Sequence, residues 1–208
     1  MIIFDLDGTL WDSSKSVAES WNYETARQGY DCHFTVEDMR RIMGLTMNAI
    51  ADALLPEMDE AERYPLFRKC ESYEVEFISE HGGELFPYVR ETLIKLKNAG
   101  YDMSIVSNCQ AGYIEAFLKS MDMWDFFSDY EEWGNTGLSK AMNIRLVMER
   151  NHVTDAVYVG DIQKDADAAV EAGIPCISAE YGFGHIEDPI ARLYSFDQLE
   201  DILKELKC

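Results

Sequence analysis

Positive charge is scarce in this chain of 208 residues: Lys and Arg number 18 against 39 Asp and Glu, a formal net charge of −21. Such a chain repels phosphate backbones and anionic membrane surfaces, so neither nucleic acid nor a membrane is an expected partner. No apolar run approaches the roughly 18 residues of a membrane-spanning helix, and no basic stretch with a cleavable apolar segment opens the chain. The cysteines Cys32, Cys70, Cys109, Cys176 and Cys208 are odd in number, with neither Cys-x-x-Cys spacing nor Cys/His clusters. That argues against a disulfide framework and a zinc site, and the expected setting is the reduced cytoplasm. Internal repeats and low-complexity tracts are also missing. With 47 % hydrophobic residues the chain can still bury a core, as one large domain or two small ones.

What is present begins four residues in. The apolar run Met1-Ile2-Ile3-Phe4 reads as a buried strand and ends at Asp5-Leu6-Asp7-Gly8-Thr9-Leu10. In a parallel α/β sheet, ligands collect beyond the carboxyl ends of the strands, which is where Asp5 and Asp7 would sit. A carboxylate there can ligate a hard cation such as magnesium, act as a nucleophile or carry a proton. An isolated Asp-x-Asp-Gly is also ordinary turn chemistry, so the pair alone leaves these options open.

Residues 14–83 lose strand signals and show helical ones. Thr35 with Asp38 caps a helix toward Met43, and Met47 to Leu55 and Glu60 to Ser79 read as further helices. Pro87 opens another helix toward Asn98. Strand and helix then alternate, with strands expected at Tyr101 to Val106, Phe126 to Tyr130, Ala156 to Val159 and Ile174 to Ser178, and a last helix from Asp197 to Leu206. This predicts a doubly wound parallel α/β sheet, residues 1–13 and 84–208, carrying an inserted all-helical cap, residues 14–83. An insert that leaves beside Asp7 and returns through Gly82-Gly83 can close over a site and exclude water.

Polar residues recur at the other strand ends. Ser104-Ile105-Val106 runs into Ser107-Asn108, and Ala156-Val157-Tyr158-Val159 runs into Gly160-Asp161 with Asp165 close behind. Lys140 opens a helix after the segment Gly134-Asn135-Thr136-Gly137. Singly these are capping and surface residues. Together, carboxylates, a hydroxyl donor and a lysine are what is needed to neutralise a phosphoryl group in transfer.

The order and spacing of these segments resemble the haloacid dehalogenase (HAD) superfamily, in its phosphoglycolate-phosphatase-like type with a helical cap. The resemblance rests on Asp5 through Leu10, Ser107-Asn108, Lys140, and Gly160-Asp161 through Asp165 followed by Ala168 to Gly173. It implies a magnesium-dependent phosphatase acting on a small phosphorylated metabolite, as a monomer or a homodimer. By it Asp5 would be the nucleophile, Asp7 the general acid and base, Ser107 and Asn108 contacts to the phosphoryl group, and Lys140 the neutralising cation. Magnesium would be held by the Asp5 side chain, the Asp7 carbonyl and Asp161, with Asp165 behind them. Three departures stand out: Ala141 follows the lysine where proline is usual, Ile162-Gln163 replace a usual Ser or Thr, and Trp11 replaces a smaller aliphatic residue.

Asp7 argues against a dehalogenase, which lacks the second acid. A phosphomutase of this type would carry a histidine about where Val17 stands, and a phosphonate-cleaving enzyme a cap lysine, for which Lys15 is the early candidate. An idle HAD-like binding module would need neither acid. Arg41, in Arg41-Ile42-Met43-Gly44, resembles a cap arginine that contacts a substrate's distal acidic group, and the Tyr181 to His185 loop is a candidate border of the pocket.

Overall fold

The computed structural model describes residues 1–45 and 47–206, so Cys208 lies outside the described residues; the other four cysteines are unpaired. The opening apolar run forms β1 (Ile2–Phe4), buried throughout. Its alternation explains why: Ile2 and Phe4 enter the larger core cluster and Ile3 the smaller one, as a strand covered by helices on both faces requires. After a tight turn come β2 (Trp11–Asp12), α1 (Ser14–Arg27), α2 (Val36–Ile42), α3 (Met47–Leu54), α4 (Glu60–His81) and β3 (Glu84–Leu85). Strands β2 and β3 pair antiparallel, Trp11 opposite Leu85 and Asp12 opposite Glu84, so both crossings of the helical block lie side by side.

The rest alternates: α5 (Val89–Asn98), β4 (Met103–Ser107), α6 (Tyr113–Ser120), β5 (Asp129–Glu132), α7 (Trp133–Thr136), α8 (Lys140–Arg150), β6 (Val157–Gly160), α9 (Gln163–Ala172), β7 (Cys176–Ala179), β8 (Ala191–Leu193) and α10 (Leu199–Leu206). The six-stranded sheet runs β5-β4-β1-β6-β7-β8 with every neighbour parallel. This is the doubly wound sheet with an inserted helical cap that the sequence predicts. The chain passes from β1 to β4 and β5 on one side and then crosses back to β6, β7 and β8 on the other, and the crevice at such a reversal is where a ligand fits.

Within the helical block Trp21 meets Phe34 and Phe67 edge-on at 5.8 and 5.2 Å, and these rings are continuous with the larger core cluster. The expected Thr35/Asp38 capping box is formed. Other boundaries move for local reasons. The expected strand Phe126 to Tyr130 is β5, starting at Asp129, because Phe126 closes a 3-10 turn. Its acidic residues are held by Arg150, which pairs with Asp129 at 2.8 Å and Glu131 at 2.7 Å. The helix read from Pro87 begins at Val89, since Tyr88 takes a left-handed conformation with φ 68°. Edge strand β8 and the short helix α7 were not expected.

Candidate active site

Three strand ends converge beside β1. Asp5 follows it, with its N–H still donating to Val159 O at 2.8 Å, and its side chain is buried. Ser107 ends β4, and Asp161 follows β6. From the first turn of α8, Lys140 donates to Asp5 Oδ1 at 2.8 Å and to Asp165 Oδ1 at 2.6 Å. Asp165 Oδ2 accepts the N–H groups of Asp161 at 3.1 Å and Ile162 at 3.2 Å. Both oxygens of Asp165 are therefore engaged, whereas Asp5 Oδ2 accepts no hydrogen bond among the described residues. The Ile162-Gln163 departure costs nothing at this turn, because backbone amides rather than a Ser or Thr hydroxyl meet Asp165.

Carboxylate oxygens of Asp5, Asp161 and Asp165 lie within 4.8 Å of one another, all buried. Burial, and after it the charge of Asp165, pushes Asp5 up to about 7 and Asp161 up to about 8. Burial alone would lower Lys140, but Asp165 and Asp5 carry it well above the ordinary lysine range. Three buried acids around one lysine leave the cluster short of positive charge. A hard divalent cation with oxygen ligands fits this donor set. The backbone is shaped around the same acids: a Cβ on Gly8, at φ 83°, or on Gly182 would collide with Asp161. Phe183 N–H donates to Asp161 Oδ2 at 2.7 Å, and Tyr181 Oη donates to Thr9 O at 2.8 Å. The Tyr181 to His185 loop thus borders the site through its backbone.

Asp7 has different surroundings. Its Oδ1 accepts from Ser13 Oγ at 2.6 Å and Trp11 Nε1 at 2.9 Å, and Tyr113 Oη lies 3.0 Å away. Burial raises its pKa to about 6, and the Ser13, Tyr113 and Trp11 donors oppose the rise. The sequence reading missed these donors. Trp11 gave a signal as a departure from the expected aliphatic residue; Ser13 and Tyr113 gave none.

Asp5, Asp7, Ser107 and Asn108 line one cavity of about 40 Å³ under the cap. Asn108 Nδ2 donates across to Gly44 O of the cap at 3.2 Å. Glu132 anchors the loop after β4 by accepting the N–H groups of Gly112 at 2.5 Å and Ile114 at 3.1 Å. Arg41 is not among the cavity's lining residues: it pairs with Asp38 at 3.2 Å and is two-thirds exposed. Arg40 pairs with Asp12 at 2.5 Å and sits over the Phe183 ring, joining the cap to the core loop. Lys15 is exposed, and Val17 lines the cavity.

The family described as "Haloacid dehalogenase-like hydrolase" has a model that matches residues 2–179. The chain is 30 % identical to a phosphoglycolate phosphatase of Vibrio vulnificus over 92 % of this chain and 87 % of that one. It is 28 % identical to that of Vibrio parahaemolyticus over 98 % and 94 %. Among solved structures, a haloacid dehalogenase-like hydrolase from Streptococcus pneumoniae superposes with a TM-score of 0.83 at 21 % identity, covering 97 % of each chain. CbbY from Rhodobacter sphaeroides, in complex with phosphate, gives 0.79 at 21 % identity over 95 % of each chain; both likenesses bear on the fold.

Proposed function

The chain belongs to the haloacid dehalogenase-like hydrolases, and from that premise we propose that it is a magnesium-dependent phosphatase hydrolysing a small phosphate monoester through a phosphoaspartate on Asp5. The observation that carries this reading is the pair of acids in contrasting settings: Asp5 among buried carboxylates and a lysine, Asp7 two residues on and tied to Ser13, Trp11 and Tyr113. The first sits where a cation and a phosphoryl group can meet it, and the second stands apart from that cluster, free to carry a proton. The core is residues 1–13 and 84–208, and the cap residues 14–83.

Asp5 attacks phosphorus while Asp7 gives its proton to the departing alkoxide. Asp7, now ionised, takes a proton from water, which attacks the phosphoaspartate to release inorganic phosphate and restore Asp5. Ser107 and Asn108 hydrogen-bond the phosphoryl oxygens, and Lys140 offsets their charge. The Asp5 side chain, the Asp7 carbonyl and Asp161 would hold the magnesium, which supplies further charge neutralisation of the phosphoryl group. Asp165 orients Lys140 and the Asp161 turn. Cap closure over the 40 Å³ cavity keeps bulk water from the intermediate.

The relatives named phosphoglycolate phosphatase support a substrate of that small size. Val17, an apolar wall of the cavity, speaks against the phosphomutase reading. An idle binding module would have no use for an acid held by three donors. The test is phosphate release from a panel of small esters and p-nitrophenyl phosphate, with magnesium and with chelator. Turnover that chelator abolishes supports the reading; none on any ester contradicts it.

A pH profile tests Asp7. In the free enzyme it must hold the proton it gives to an alkoxide, so kcat/KM on alkyl esters falls as pH rises through about 6. Tyr113→Phe removes a group that favours the ionised form, and this limb should move up by about one pH unit, worth ~1.4 kcal/mol. An unmoved limb would separate Tyr113 from the proton transfer.

A further inference from the structure

The lining of the cavity above Asp5 includes polar residues that the reaction does not use. Val17, Trp21, Ile42 and Ile50 form apolar walls, and Glu74 of α4 and Gln110 of the loop after β4 lie among them. Glu74 is 3 % exposed and accepts Trp21 Nε1 at 2.5 Å. Gln110 is 8 % exposed, and its Nε2 is buried with no hydrogen-bond partner. No lysine or arginine lines the cavity among the described residues.

These groups discriminate by charge. A leaving group ending in a carboxylate would meet an acid and apolar walls, with no cation to receive it. One ending in an ammonium would meet a buried carboxyl that has no cationic partner. Burial raises Glu74 to about 8, the Trp21 hydrogen bond opposes the rise, and Asp7 and Glu71 add to it. An ammonium beside it offsets that burial and sits in the negative field of the same acids. The cavity is small, about 40 Å³, which favours a short leaving group.

We infer that the substrate is the monophosphate of a small amino alcohol, its ammonium bound by Glu74 with Gln110 beside it. The inference rests on the phosphatase reading and sets this chain apart from the phosphoglycolate phosphatases it resembles. Phosphoryl chemistry at Asp5 is shared with them, and the lining at Glu74 and Gln110 has the opposite preference.

Three two-carbon esters of nearly equal size separate the alternatives: O-phosphoethanolamine, ethyl phosphate and 2-phosphoglycolate. The wild-type kcat/KM should fall in that order, with about 10²-fold or more between first and last, as a buried charge pair against a carboxylate buried with no cation implies. Glu74→Gln, which keeps an acceptor for Trp21, should narrow that spread mainly through KM for phosphoethanolamine. Preference for 2-phosphoglycolate, or equal losses on all three esters in Glu74→Gln, overturns the inference. Turnover of p-nitrophenyl phosphate but not of phosphoethanolamine overturns it while leaving the phosphatase reading intact. Should no ester turn over, calorimetry on Asp5→Asn with magnesium decides: phosphoethanolamine must bind more tightly than 2-phosphoglycolate, and equal or weaker binding overturns the inference.

Discussion

Asp5→Asn is expected to lower phosphate release by about 10⁴-fold or more, because an amide is no nucleophile and nothing else in the cluster can take its place. The fold should survive. Lys140 keeps Asp165 at 2.6 Å, and asparagine matches the shape of the acid it replaces. The stability effect has a definite sign. Burial, then Asp165, raises the folded-state value of Asp5 from 3.8 to about 7. Between those values the folded chain holds a proton that the unfolded chain has lost, so stability falls as pH rises through that window. Asparagine carries no such penalty. In chelator at about pH 8, Asp5→Asn should melt no lower than the wild type, and its gain in Tm on adding magnesium should be smaller. A clearly lower Tm in chelator, or residual turnover near the wild-type rate, contradicts the role given to Asp5.

Lys140→Met should have the second largest effect, and here fold and activity suffer together. The lysine hydrogen-bonds Asp5 and Asp165 with its side chain 4 % exposed. Removing it leaves buried carboxylates facing each other, and breaking a buried ion pair costs about 3–5 kcal/mol. Loss of a donor to the phosphoryl charge should lower kcat by about 10²–10³-fold on top of that. The lost stability should return as pH falls, and from a higher pH than in the wild type, because without Lys140 the buried Asp5 and Asp161 take up protons more readily. Thermal melts across pH in chelator check this; a Lys140→Met loss that is independent of pH would mean the lysine is not balancing the acids.

Sequence and structure agree where strands change abruptly into polar residues. Phe4 to Asp5, Val106 to Ser107 and Val159 to Gly160-Asp161 are local events that one pass along the chain detects, and a parallel sheet brings such ends together. The donors on Asp7 are another matter. Trp11 and Tyr113 read as core aromatics, and Tyr113 lies 106 positions from the acid it meets. Glu74 is hidden for a similar reason: nothing local distinguishes it from Glu71 or Glu76 on α4, and only the contact with Trp21 across 53 positions reveals its burial. Arg41 shows the converse. A cationic cap segment is easy to see, but the rotation of α2 sends this side chain to Asp38 rather than into the cavity. Edge strand β8 escaped because it is short, and β5 was displaced toward its acidic residues because Phe126 closes a 3-10 turn.

The most direct measurement is a rapid-quench experiment on Asp7→Asn with p-nitrophenyl phosphate and magnesium. Its leaving group departs as a stable phenolate and needs no proton, so Asp5 can still be phosphorylated, but water then lacks its base. The account predicts a burst of one p-nitrophenolate per active site, followed by a stall, with the phosphoryl group located on Asp5 by mass spectrometry. Steady turnover without a burst, or a phosphoryl group on any other residue, would contradict it.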